Sequence, residues 1–129
     1  MAGVTGIGGV FFKAKEPKVL AQWYATHLGV KLEDFGGAIF FWNADQEKQT
    51  AKGLTVWHLA DQDGDWFAPS TSQVMINYRV DDLTALLAQL DAAGIKTLDG
   101  PNEEFNGRFA WVMDPEGNKV ELWEPKDGG

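Results

Sequence analysis

Apolar positions along this chain follow two periods, and each period predicts a different element. Val4–Ala14 (VTGIGGVFFKA) has a glycine-rich entry followed by aromatic and β-branched residues, the composition of a strand. Glu16-Pro17 interrupts it, and proline suits the first turn of a helix. From Lys18 to Leu28 the residues Val19, Leu20, Trp23, Tyr24 and Leu28 recur at helical spacing, with Gly29 placed as the C-cap. Short strands are predicted over Val30–Phe35, Ala38–Asn43 and Gly53–Leu59, with a polar loop over Ala44–Lys52.

A connector of turn formers, Asp61–Ser72, carries the adjacent aromatics Trp66 and Phe67. Val74–Val80 then reads as a strand. Asp81-Asp82 offers an N-cap for a helix over Leu83–Ala93, where Leu83, Leu86, Leu87, Leu90 and Ala93 form one apolar stripe ahead of Gly94. Ile95–Leu98 predicts a short strand and 99–107 a polar loop. The chain closes on a hairpin in which Phe109–Met113 and Lys119–Pro125 flank the turn Asp114-Pro115-Glu116-Gly117-Asn118. Alternation puts Val120 and Leu122 on one face of the last strand and Glu121 and Trp123 on the other. A carboxylate and an indole sharing a face suit a strand between a core and a pocket.

The element order is β-α-β-β-β, a connector, then β-α-β-β-β. His27-Leu28-Gly29-Val30-Lys31-Leu32 after the first helix is echoed by Ala92-Ala93-Gly94-Ile95-Lys96-Thr97 after the second. The reading is one α+β domain over 1–129, with module one at 4–60, the connector at 61–72 and module two at 73–126.

Several stretches resemble one family. The Asp-Pro-x-Gly-Asn turn before an apolar strand with a central Glu121 resembles the C-terminal signature of the vicinal oxygen chelate superfamily, which includes glyoxalases, bleomycin-resistance proteins and extradiol dioxygenases. Arg79-Val80-Asp81-Asp82-Leu83 and Trp23-Tyr24-x-x-x-Leu-Gly resemble its middle segment and its first helix end. The resemblance implies two βαβββ modules in an open barrel-like cleft, helices outside and a ligand pocket within, usually in a homodimer. It also implies a divalent metal held by a first-strand His, further residues from the modules, and the final Glu.

By motif the first-strand ligand position falls at Gly9 and the position opening the second module at Met75. Gly9 has no side chain, and a thioether is a poor ligand for hard divalent ions. The fourth-strand position falls near Thr55 or Trp57. Glu121 is the one remaining metal candidate, so no cofactor is expected; a divalent metal on a displaced site, with His58, is the alternative. His27 closes a helix, where the dipole favours an imidazole.

Strand parity nominates the cleft lining: Phe11, Met75, Asn77, Arg79, Glu121 and Trp123, with Phe109 and Trp111 added by the resemblance, and Trp42 and Trp57 from module one. Arg79 and Glu121 either pair with each other or face a ligand. An unpaired Glu121 in an apolar site would have a raised pKa and serve as a general base.

Composition narrows the picture. Six Trp and eight Phe serve a packed core or an aromatic-lined pocket. The formal charge of −8, without a basic stripe, argues against nucleic acid. No run reaches the roughly 18 apolar residues of a membrane span, and no signal peptide is visible, so a cytoplasmic location is expected. With no cysteine there is no disulfide and no thiolate chemistry. The expected function is metal-independent binding of a small aromatic or apolar molecule. The alternative is an enzyme of lyase, isomerase or dioxygenase type with Glu121 as metal ligand or general base.

Overall fold

The alternation that makes each strand two-sided produces a sheet with a different population on each face. The computed structural model describes residues 2–42 and 53–126. Its elements are β1 (Val4–Ala14), α1 (Pro17–Leu28), β2 (Ala38–Phe41), β3 (Leu54–Asp61), β4 (Val74–Val80), α2 (Leu83–Ala92), β5 (Asp99–Glu104), β6 (Gly107–Met113) and β7 (Lys119–Pro125). The described strands form one seven-stranded sheet in the order β2-β3-β1-β4-β7-β6-β5. The fold is α+β, as expected.

The pairing repeats from half to half. In each, the first strand lies parallel to the last, β1 beside β3 and β4 beside β7. The last strand then runs antiparallel to its predecessor, β3 with β2 and β7 with β6. β1 and β4 join the halves antiparallel at the centre.

Both helices cover one face. Gly29 ends α1 in the left-handed region at φ 73°, where a side chain would be strained. Asp82 caps α2 by accepting from the Ala85 N–H at 3.0 Å. Leu83 of α2 packs on Val80, Ala110, Val112 and Leu122; Ala21 of α1 packs on Ala14 and Leu59, with Phe12 and Trp57 against them. The opposite face carries Phe11, Ala60, Phe67 and Met75.

Three expected elements differ. Val30–Phe35 is not a strand, because Glu33 bonds across a tight turn to Gly37 and Gly36 to Glu33, leaving no ladder for a neighbour. Ile95–Leu98 is not a strand either. The Ile95 N–H turns back to the Leu90 carbonyl, so the segment is taken up in leaving the helix. The stretch 99–107, expected as a loop, begins with β5, an edge strand paired only with β6. Its polar side chains are outward, and an edge tolerates Pro101. The expected loop Ala44–Lys52, and Asn43 at the end of an expected strand, lie outside the described residues.

Candidate functional site

β1 makes the room for a site. Its pairing with β4 slips between Ile7 and Gly9, so Gly8 and Gly9 both border the open face. A Cβ at Gly8 would strike Asn77 Oδ1 and come within 2.9 Å of Arg79 Cγ and Trp123 Cε3. A Cβ at Gly9 would lie 2.6 Å from the Phe11 ring. The glycines let side chains of β4, β7 and β1 itself close over the backbone.

β4 contributes Met75, Asn77 and Arg79, all buried on this face. β7 contributes Glu121 and Trp123, also buried. Glu121 is held from two sides: Asn77 Nδ2 donates to Oε1 at 2.7 Å, and Trp111 Nε1 donates to Oε2 at 2.9 Å. Burial pushes the Glu121 carboxyl above the usual carboxylate range; the two donors and the Lys119 charge pull it part of the way back.

An aromatic wall stands beside this carboxylate. Phe109 lies parallel to Trp123, 3° between planes and 5.8 Å between centroids, and stacks on its other neighbour Trp111 at 6.3 Å. The Trp123 Nε1–H is fixed by the Asn106 carbonyl at 3.0 Å. One end is plugged by the connector, where Phe67 is fully buried and Trp66 lies 4.7 Å from the Phe11 ring. What remains open is a cavity of about 130 Å³ bordered by Gly8, Phe11, Val56, Asn77, Asn106, Phe109, Glu121 and Trp123. A larger hollow of about 680 Å³, between the end of α2 and the last hairpin, is bordered by Leu90, Ile95 and Val112. Among the described residues that border it, no polar side chain is buried.

Arg79 does not pair with Glu121. Its guanidinium carbon sits 5.0 Å from the Trp123 ring centroid and 5.3 Å from that of Trp42. Both terminal nitrogens are buried without a hydrogen-bond partner among the described residues, as is Asn77 Oδ1. Trp42 is half exposed and tied by its Nε1–H to Thr55 Oγ1 at 2.8 Å.

The structure thus brings together Phe11, Met75, Asn77, Arg79, Phe109, Trp111, Glu121 and Trp123 on one face, with Trp42 at its margin over Arg79. Trp57 is elsewhere: it packs on Phe12 and Tyr24 on the α1 side. β3 therefore has the parity opposite to that expected. Val56 borders the cavity, and His58 lies on the same face, near Phe35 and Trp66. Burial lowers the His58 pKa, favouring the neutral ring. Asn106 and Val56 carried no signal in the sequence; one is a turn residue and the other sits in a strand with large apolar or aromatic residues on both faces.

The donor set does not fit the divalent ion that the resemblance implies. The space at Gly9 is held by Phe11, and Met75 is packed with Phe11 and Phe67. Thr55 Oγ1 donates to the Ile7 carbonyl. Each oxygen of Glu121 already accepts a hydrogen bond. Among the described residues no three His, Cys, Asp or Glu converge on a point.

A family model described as a glyoxalase-like domain matches residues 9–123. The chain belongs to the glyoxalase-like domain family. That match takes in every residue bordering the cavity except Gly8. No curated protein matches the chain significantly. Among solved structures, methylmalonyl-CoA epimerase in complex with methylmalonyl-CoA and NH4+ superposes at a TM-score of 0.70 with 16% identity, covering 97% of each chain. A variant of the Streptomyces coelicolor epimerase in complex with 2-nitronate-propionyl-CoA gives 0.68 with 17% identity, over 96% of this chain and 99% of that one. The Mycobacterium tuberculosis epimerase gives 0.64 with 20% identity, over 95% and 89%. At these identities the likeness is one of fold. Among the described residues no helix is long and apolar enough to cross a membrane.

Proposed function

We propose that this glyoxalase-like protein binds a small aromatic or apolar molecule in the cleft between its modules, 4–60 and 73–126, without a metal. The observation that carries the reading is the ring-sized cavity walled by Phe11, Phe109 and Trp123, with the Asn77–Glu121 pair at its side. A dry cavity of about 150 Å³ takes one benzene ring, so about 130 Å³ suits a single ring with its substituents in the mouth. The indoles of Trp111 and Trp123 make the test direct. Titration with single-ring compounds should change tryptophan fluorescence saturably, and elemental analysis before and after adding nickel, manganese, zinc or iron(II) should give no stoichiometric metal. A metal bound one per chain and lost in Glu121→Gln would overturn the metal-free reading.

A second reading is favoured by the raised pKa of Glu121 beside that cavity. Near neutral pH such a carboxyl is a stronger base than an exposed one and can take a proton from a carbon next to a carbonyl. Epimerisation, the reaction named for the structural neighbours, needs a proton removed on one face and returned on the other; Glu121 supplies one of those two groups. Under this reading Glu121→Gln abolishes turnover while leaving ligand binding within a few-fold. We also expect a homodimer, since among the described residues β5 pairs with no strand other than β6, and a cytoplasmic location. Sedimentation as a monomer at micromolar concentration would contradict the dimer.

A further inference from the structure

Of the buried polar atoms on the cleft face, those of Arg79 are the hardest to account for as packing alone. The side chain is 1% exposed, and both terminal nitrogens lack a partner among the described residues. A guanidinium has five N–H donors in one plane. Here its faces are covered by Trp42 and Trp123, so partners can approach only along the edge. Cation–π contacts attract the charge but do not replace hydrogen bonds to the N–H groups. A buried charge left in this state is costly, and the neighbouring carboxylate does not relieve it, because Glu121 is held by Asn77 and Trp111.

We propose that Arg79 is the anion receptor of the cleft, and that the natural ligand is an aromatic ring bearing a carboxylate. The inference rests on the ring-binding reading above and adds the charge. Gly8 and Trp123 border the cavity; the Arg79 stem passes beside Gly8 and its guanidinium lies over the Trp123 ring, which places the charge at the cavity's wall. A carboxylate matches the fork of a guanidinium with two parallel N–H···O bonds. Trp42 must shift to admit it; this residue is half exposed, and its indole N–H is held by Thr55 Oγ1. The chain carries a formal charge of −8, so its overall field repels an acid. Recognition of a carboxylate must therefore come from a local positive group of this kind.

The experiment compares benzoate with benzamide, its neutral near-isostere, by tryptophan fluorescence on the full chain at pH 7.5. Acetate is the control for a bare anion. Benzoate should bind at least tenfold more tightly than benzamide and than acetate. Arg79→Met should abolish the preference over benzamide, and Arg79→Lys should retain part of it. In ¹⁵N-labelled wild-type protein benzoate, but not benzamide, should move a guanidinium N–H resonance, a readout that stands even if both variants fail to fold. Equal affinity for benzoate and benzamide, acetate as strong as benzoate, or a preference that survives in folded Arg79→Met would overturn the proposal while leaving the ring-binding reading in place. Absence of binding by either ring compound at millimolar concentration would overturn both.

Discussion

Trp111 and Glu121 stand directly opposite each other on β6 and β7, and the indole N–H of the first donates to the carboxylate of the second at 2.9 Å. The contact joins the aromatic wall to the one carboxylate that is buried among the described residues. Trp111→Phe keeps a ring and deletes the donor. It should lower stability by about 1–2 kcal/mol, the usual cost of leaving a buried acceptor short of a partner, and push the Glu121 pKa further up. Urea denaturation and NMR titration of the carboxyl measure the two effects.

The raised pKa of Glu121 gives stability a sign with pH. Over the interval between the unfolded and folded pKa values the native chain keeps a proton that the unfolded chain has released, so stability falls as pH rises. The contribution is complete below the unfolded value and lost as pH passes the folded one. Glu121→Gln removes this titration. The stability difference, wild type minus variant, should be greatest at acid pH and decline through the folded pKa. Thermal melts of both proteins at stepped pH would show it; a difference independent of pH would contradict the shift.

Gly8→Ala tests the packing of the cleft against its backbone. The new methyl would meet Asn77 Oδ1, the Arg79 stem and the Trp123 ring. Overpacking of this kind costs about 1–3 kcal/mol. Because Asn77 is the donor to Glu121, the substitution should also weaken binding of ring compounds. Denaturation and fluorescence titration on the same preparation separate the two.

Phe67 is fully buried although it lies in a polar connector. Phe67→Ala should cost about 3–5 kcal/mol, as for other large core aromatics. A loss below about 1 kcal/mol would mean that the connector is not part of the cleft's packing.

The hairpin was legible because its strands obey strict alternation. Ala110, Val112 and Leu122 face α2, while Trp111, Glu121 and Trp123 face the cleft, as parity requires. β4 was legible for the same reason. β3 was not, because Leu54–Leu59 carries large apolar or aromatic residues on both faces: one packs under α1 and the other on the cleft, and nothing in the pattern marks which is which. That is why Trp57 and His58 change places relative to the sequence reading. β5 was missed because an edge strand is held by backbone bonds that a polar sequence makes as well as an apolar one. Arg79 was visible as a cleft residue, but its isolation from Glu121 was not. That depends on Asn77 and Trp111 both reaching the carboxylate, a three-strand coincidence.

The ring of Phe11 rests where a side chain on residue 9 would begin. An imidazole at that position and the phenyl ring in its present place are mutually exclusive. Re-creating a metalloprotein from this scaffold therefore cannot proceed by adding histidines at positions 9 and 75 alone; Phe11 has to be trimmed in the same step, and the cavity loses one of its walls. In this chain an ion beside β1 and the Phe11 ring are competing occupants of one volume.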